Sequence, residues 1–331
     1  MYSILHRKLT TNIIMAFARS PAMNITSCLH LVDGVCADPI DLPWYFSPRP
    51  SLLEGISDQH LALGAPVLAY WVLSLFFHYL DTRDWKSLEK YRLNDAAEVA
   101  SRNRVSRSGV IQAVIVQQAI QTALGLVWVD DAHAPANHLE QIAHIAQRLV
   151  PFIGAGQGTS QVAYFVYWWA IPILQLLGAI FFVDTWQYAL HRYMHVNKFL
   201  YRHFHSWHHR LYVPYAFGAL YNHPVEGLVL DSLGTALAEA VTGMSTRQAA
   251  LLFTLATLKT VDDHCGYKFP FDPLQMFSNN NAAYHDIHHQ KIGIKSNFAQ
   301  PFFMHWDRVL GTEMTREQLE ERRRRTRDRN D

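Results

Sequence analysis

The chain has 331 residues, of which half are apolar and only 17% are charged, and its formal net charge is +1. So few charges are unusual for a soluble enzyme, and the near-neutral balance provides no global field that would attract nucleic acid. The three cysteines show no C-x-x-C spacing, which argues against a zinc ribbon, a thioredoxin-like site or an iron–sulfur cluster.

Residues 1–60 form an N-terminal region to which the sequence assigns no structure. It contains basic and apolar residues but no clear hydrophobic segment ending in a cleavage site, so no signal peptide is predicted. Asn24 begins the glycosylation sequon Asn-Ile-Thr. The charge pattern described below predicts that this region is lumenal.

Residues 61–183 contain three apolar runs, each near the 20 or so residues that a helix needs to cross a bilayer. They are Leu61–Leu80, Val110–Val129 and Val162–Val183. A fourth apolar zone, about 227–258, is interrupted by Asp231, Glu239 and a turn at 243–247. We expect it to form a helical hairpin that dips into the membrane. Buried core helices of a soluble protein are the alternative, and the strength of the third run disfavours it.

The loop charges predict the orientation, because basic residues of short loops stay in the cytosol. The segment 81–109 carries seven basic residues, whereas the segment 130–161 carries only one, Arg148. The first loop is therefore predicted to be cytosolic and the second lumenal. The third apolar run then ends in the cytosol. Residues 315–331 form a basic cytosolic tail, expected to be a solvated, partly disordered end.

Histidines dominate the second half of the chain: eleven of the nineteen lie between residues 191 and 289. Eight of them form an H-x-x-x-H box and two H-x-x-H-H boxes, His191 and His195, then His205, His208 and His209, then His285, His288 and His289. On a helix these spacings place side chains on one face. Imidazole is a common metal ligand, and eight ligands suit two ions better than one.

The ligand type narrows the chemistry. Soluble di-iron proteins use Glu and Glu-x-x-His, zinc peptidases use H-E-x-x-H, and haem needs one or two axial ligands; none of these patterns fits. An all-nitrogen two-metal site beside membrane helices fits oxygen activation against an unactivated C–H bond. The chain has no flavin, haem or nucleotide motif, so the electrons must come from a partner.

Residues 168–312, with their three boxes, resemble the fatty acid hydroxylase/sterol desaturase superfamily of di-iron membrane oxygenases. Two further stretches are similar to the family, Asn-His-Pro-Val-Glu at 222–226 and Asp-His-Cys-Gly-Tyr at 263–267. The resemblance implies that His223 and His264 complete the metal shell. Some relatives have another histidine four residues after the equivalent of His264, where this chain has Lys268. His203, just outside its box, is expected to pack or hydrogen-bond.

Within the superfamily, residues 197–235 are similar to fungal sphinganine C4-hydroxylases. That resemblance implies hydroxylation of sphinganine or dihydroceramide in the endoplasmic reticulum membrane, with two iron ions (for which zinc could substitute in a purified sample) and O2. It also implies NAD(P)H-derived electrons delivered by cytochrome b5 and its reductase. Basic residues beside the first two boxes, Arg192, Lys198, Arg202 and Arg210, could dock that carrier or contact lipid headgroups.

The expected architecture is an all-α membrane bundle of about four helices or hairpin arms with a cytosolic histidine-rich di-metal domain at 184–314. Two other functions remain open at this point. A sterol C5-desaturase or C4-methyl oxidase would use the same metal chemistry. A metal transporter or metal-binding membrane protein would instead place its ligands midway along membrane helices.

Overall fold

The computed structural model describes residues 30–32, 35–37, 42–83, 85–129, 137–276 and 279–329. The Asn24 sequon lies outside these residues. The chain divides into two compact units, one formed by residues 1–49 and 132–175 and the other by residues 50–131 and 176–331. The second unit contains every histidine of the three boxes.

The regular secondary structure of the described residues is helical, as predicted, apart from an antiparallel hairpin of β1 (His30–Val32) and β2 (Val35–Ala37). The helices are α1 (Asp58–Thr82), α2 (Lys86–Glu89), α3 (Ala96–Arg102), α4 (Arg107–Trp128), α5 (His138–Ile153), α6 (Gln157–Val196), α7 (Lys198–His203), α8 (224–242), α9 (Thr246–Asp263), α10 (Pro273–Met276), α11 (Ala282–His289), α12 (His305–Val309) and α13 (Arg316–Arg327). Short π-helical segments interrupt α6 at Val166–Ala170 and α8 at Leu228–Ser232.

Among the described residues, three helices are long and apolar enough to cross a membrane, and they contain the three predicted runs almost completely. They are α1, α4 and α6, of 25, 22 and 40 residues. Large apolar side chains cover their outer faces: Leu68, Val127 and Leu174 are 66%, 87% and 66% exposed. Water does not favour such surfaces, whereas lipid does. The protein is therefore a membrane protein.

The predicted hairpin is present as α8 and α9. Gly243 ends α8 in the left-handed conformation, with φ of 63°, and Ser245 begins α9 with a capping box completed by Gln248. Neither arm is among the helices that are long and apolar enough to cross a membrane. The hairpin's small residues, such as Ala238 and Ala249, pack in one core with Ala179 and Val183 of α6.

The second unit joins two membrane helices to the histidine-rich region, a grouping that differs from the expected division at residue 183. Tyr70 and Phe77 of α1 share a core with Val261 of α9. At the other end of α1, Arg247 Nε lies 2.6 Å from an oxygen of Asp58. Because α1 packs along α9, it belongs to the same compact unit as the histidine boxes.

The basic tail forms a helix at residues 316–327, where the sequence predicted a partly disordered end, while most of its side chains are exposed as expected. Thr315 and Gln318 form a capping box that begins α13. Leu319 is completely buried against Ile287 and Met314. A single apolar residue in a charged helix thus anchors the tail beside α11.

Gly234 allows α8 to approach α6 closely, and this contact generates a stability prediction. A Cβ atom at Gly234 would lie 2.5 Å from Cδ1 of Trp186, whose indole donates a hydrogen bond to the Val229 carbonyl. We expect Gly234→Ala to cost about 1–3 kcal/mol through overpacking, measured as a lower thermal unfolding midpoint in detergent.

The matched control is Gly64→Ala in α1, where a Cβ atom would meet nothing within 4 Å. Alanine should there stabilise the helix by about 0.5–1 kcal/mol. Equal unfolding midpoints for the two variants would contradict the close approach of α8 and α6.

Candidate metal centre

Four segments bring nine histidines together, the eight of the boxes and His264. His191 and His195 lie one turn apart at the end of α6, and His285, His288 and His289 lie on α11. His205, His208 and His209 lie on a 3₁₀ segment, His205–Arg210. His264 caps the C-terminus of α9. Asn197 positions the 3₁₀ segment, because its side chain accepts the backbone amides of Phe199 and Leu200 and so begins α7 directly after α6.

The histidines form two clusters, in each of which the candidate ligand atoms lie within 4.8 Å of one another. The first cluster contains His191, His195, His205, His209 and His288, and the second contains His208, His264, His285 and His289. Each H-x-x-H-H box therefore divides between them. The first and last histidines of a box, four residues apart, face one cluster. The middle histidine faces the other cluster.

The spacing of the ring nitrogens suits a bound ion. In the first cluster the Nε2 atoms of His205 and His195 are 2.7 Å apart, and those of His191 and His205 are 3.1 Å apart. In the second cluster the Nε2 atoms of His289 and His285 are 2.9 Å apart, and those of His285 and His264 are 3.0 Å apart. Two nitrogens at about 2.1 Å from one ion, at right angles, would be about 3.0 Å apart.

Outer hydrogen bonds fix which nitrogen of each ring faces the centre. Six of these histidines have Nδ1 beside an oxygen that accepts a hydrogen bond. The acceptors are the carbonyls of Phe298 for His191, Tyr221 for His208, Thr260 for His264, Ser296 for His288 and Leu211 for His289, and a carboxyl oxygen of Glu226 for His205. The proton then resides on Nδ1, and Nε2 presents a lone pair.

Burial keeps these rings neutral. Desolvation lowers the pKa of His205, His208 and His264 to about 3. It also takes the pKa of His285 and His289 well below the ordinary value. Neutral imidazole is the form that binds a metal, so the clusters are ready to accept cations at physiological pH.

Glu226 supports the first cluster from outside. Its Oε1 lies 2.5 Å from His205 Nδ1, and both side chains are almost completely buried. Burial raises the pKa of Glu226 to about 8, so without a cation the pair is a neutral hydrogen bond. A cation on Nε2 of His205 would favour the carboxylate, giving the carboxylate–histidine–metal arrangement that orients a ligand ring.

The donor set fits two metal ions. Nε2 of His288 is buried without a hydrogen-bond partner although it faces the first cluster. The facing Nε2 atoms of His191 and His205 both carry lone pairs and would repel each other without a cation between them. An all-imidazole set suits iron, zinc or copper.

His223 does not enter either cluster, in contrast to the prediction. Its ring packs against Phe204 and Trp207, with centroids 5.0 and 4.9 Å away, and its Nδ1 accepts the amide hydrogen of Val225 at 3.2 Å. It therefore caps the start of α8. His203 is exposed and bonds to the Phe199 carbonyl, and Lys268 is also exposed, so the second cluster has four histidines.

Two supporting acids escaped the sequence analysis. Asp307 is completely buried and accepts the backbone amides of Phe298 and Ala299 at 3.0 and 2.7 Å. It thereby fixes the carbonyl of Phe298 that orients His191. The other supporting acid is Glu226, which the sequence marked only by its place in the 222–226 stretch. Nothing in the sequence around Asp307 distinguished it from a surface acid.

Comparison with known proteins gives a consistent picture. The fatty acid hydroxylase family model matches residues 176–312. A sphingolipid C4-hydroxylase of Saccharomyces cerevisiae is 48% identical over 270 residues, 80% of this chain and 74% of that protein. One of Schizosaccharomyces pombe is 47% identical, over 77% and 88%. Sphinganine C4-monooxygenase 1 of Arabidopsis thaliana is 46% identical, over 78% and 89%. No solved structure gives a significant match.

The two clusters predict a difference in metal content between histidine variants. His205→Ala and His264→Ala each remove a ring from one cluster, so each purified variant should hold less metal than the unaltered protein, as measured by elemental analysis. His223→Ala is the control and should keep the full content. A loss of metal from His223→Ala equal to that from His205→Ala would contradict the assignment.

Proposed function

Because the chain belongs to the fatty acid hydroxylase family, we propose that it hydroxylates C4 of sphinganine or dihydroceramide to give phytosphingosine-type lipids. The observation that carries the proposal is the pair of all-histidine clusters at the C-terminal end of a membrane helix. The relatives that are 46–48% identical over most of their length are named for C4 oxidation of sphingolipids. This favours a sphingolipid over a sterol as the substrate.

A transporter is disfavoured by the position of the clusters. His191 and His195 lie at the very end of α6, and the seven other cluster histidines lie outside the three helices that could cross a membrane. Transporters place such ligands midway along broken membrane helices.

We assign iron to the two clusters, with the nine histidines as ligands. Iron held in this way supplies the oxidising chemistry that places an oxygen atom from O2 in a C–H bond. The protein's own contribution is orientation and exclusion of water. The Phe298, Tyr221 and Thr260 carbonyls hold rings in position, and the cluster residues His191, His264 and His288 are at most 2% exposed. Fixed geometry and a dry site both favour the reaction.

Electrons would come from cytochrome b5 and its NAD(P)H-linked reductase, since the chain carries no redox motif of its own. Lys198, Arg202 and Arg210 are exposed near the first cluster and suit an acidic carrier. Arg192 suits this role less well, because it is half-buried and donates to the Tyr188 hydroxyl at 3.1 Å.

The proposed location is the endoplasmic reticulum membrane, with the metal clusters on the cytosolic side. The loop between α1 and α4, predicted to be cytosolic, packs directly on the histidine-rich region. Its Asn103 and Arg104 bond to the backbone of Val213 and Arg210 at 2.9 and 2.8 Å. The loop and the clusters thus lie on one side of the bilayer.

Reconstitution tests the proposed activity. Purified protein in lipid, supplied with sphinganine, O2, NADH, cytochrome b5 and its reductase, should form 4-hydroxysphinganine, detected by mass spectrometry. His205→Ala or His285→Ala should lower turnover by more than about 100-fold, because each removes a ligand.

Omitting cytochrome b5 is the control and should abolish turnover. Full turnover without any carrier would remove the partner from the proposal. Absence of 4-hydroxylation from the complete mixture, with metal bound, would refute the activity itself.

The orientation can be tested in sealed microsomes. Protease added outside should remove a tag placed after Asp331, and Asn24 should carry glycan, seen as a mobility shift that Asn24→Gln abolishes. A protected tag together with an unglycosylated Asn24 would indicate the inverted arrangement.

A further inference from the structure

Three buried polar side chains beside the first cluster have atoms without hydrogen-bond partners. They are both amide atoms of Gln117, Oε2 of Glu226 and Oδ2 of Asp231. Gln117 and Glu226 are each 1% exposed, so bulk water does not satisfy them. Unmet buried polar atoms are rare and costly, and three close together indicate something that binds them.

The three groups converge through the π-helical stretch of α8. Glu226 and Asp231 are five residues apart, and because the segment Leu228–Ser232 is π-helical the two side chains lie about one turn apart. Gln117 of α4 lies over the next residue, because a Cβ atom at Gly227 would be 2.4 Å from its Nε2. π-helical segments of this kind occur often at functional sites.

This polar group lies against the metal ligands. Glu226 holds His205 through Oε1, which leaves Oε2 directed elsewhere. Asp231 accepts a hydrogen bond from Gln187 at 3.3 Å through Oδ1, and Gln187 is one helical turn before His191 on α6. Glu226 thus bonds directly to a cluster histidine, and Asp231 bonds to Gln187, which lies one turn from another cluster histidine.

The group is rich in acceptors and has no positive partner. Within the described part of the chain, neither Glu226 nor Asp231 has a Lys or Arg within ion-pair distance. Buried carboxyl groups are stabilised by a cation that donates hydrogen bonds. An ammonium group has both properties.

We propose that Glu226, Asp231 and Gln117 form the subsite for the head of a free sphingoid base, an inference that rests on the proposed function. The ammonium at C2 donates to Glu226 Oε2 and Asp231 Oδ2, and Gln117 binds the flanking hydroxyl groups. C4 is two carbon–carbon bonds of about 1.5 Å from C2, so a head bound here keeps C4 on the side of the first cluster where Glu226 meets His205. An N-acylated base, which lacks the charge, binds this subsite less well.

Asp231→Asn tests the subsite, since Asp231 does not contact a cluster histidine. The substrates are sphinganine and N-acetylsphinganine, each assayed for 4-hydroxylation by the reconstituted protein. We expect the KM for sphinganine to rise about tenfold or more, as for loss of a charged hydrogen bond. The KM for N-acetylsphinganine and kcat for both substrates should stay within about twofold, with unchanged metal content.

Glu239→Gln is the matched control, since it removes a carboxylate from the same helix two turns later, and it should change neither KM. An equal rise in KM for both substrates in Asp231→Asn, or the same selective rise in Glu239→Gln, would overturn the subsite. So would unaltered protein that prefers N-acetylsphinganine. No 4-hydroxylation of either substrate by unaltered protein would instead refute the proposed function.

Gln117→Leu separates binding from packing. Replacing an amide that lacks partners with an apolar side chain of similar size should leave the thermal midpoint unchanged or higher. Binding of radiolabelled sphinganine, measured without electron donor so that no turnover occurs, should nevertheless weaken. A lower midpoint with unchanged binding would assign Gln117 to packing and overturn its role in the subsite.

Discussion

Converging imidazole lone pairs are the constraint on which the rest of this molecule depends. Nitrogens of His191 and His205 that each carry a lone pair face one another at 3.1 Å, and the same is true of His208 and His264 at 3.4 Å. Such contacts are unfavourable unless a cation lies between them. A metal ion between the nitrogens would be coordinated by both lone pairs, which would remove their repulsion. Folding of this region and metal binding are therefore linked.

The backbone around the clusters is organised to maintain that geometry. Carbonyls from four separate segments accept hydrogen bonds from Nδ1–H groups, and buried acids hold the segments themselves. Asp307 binds the amides at 298 and 299, and Asp184 of α6 binds those of Phe302 and Phe303 at 3.0 and 2.8 Å. One loop, 296–303, is thereby fixed at both ends, and its carbonyls orient His191 and His288.

The chain combines a high apolar content and few charges with polar residues inside its membrane helices, because its exterior faces lipid and its interior is polar. The outer faces of α1, α4 and α6 are apolar because they contact lipid, whereas the inner face of α4 carries glutamines. Gln118 accepts a hydrogen bond from Trp71, and Gln121 donates to the Gly227 carbonyl. Gln117, which directly precedes Gln118, is buried without such a partner. In an apolar surrounding, a polar group of this kind is retained where it binds something.

The sequence by itself determined the three membrane helices, the hairpin and eight of the nine cluster histidines, because hydrophobic length and helical spacing are local properties. The resemblance pointed to both His264 and His223, of which the structure brings His264 into a cluster and leaves His223 outside; both are single histidines in similar stretches, and only packing separates them. Which histidine joins which cluster was decided by the tertiary structure. Residues 205 and 209 share a face with each other, but only the placement of α6, α9 and α11 determines that His288 completes their cluster while His208 completes the other. The supporting acids Glu226 and Asp307 were likewise hidden, because their roles come from partners 21 and 8–9 residues away rather than from neighbours in a motif.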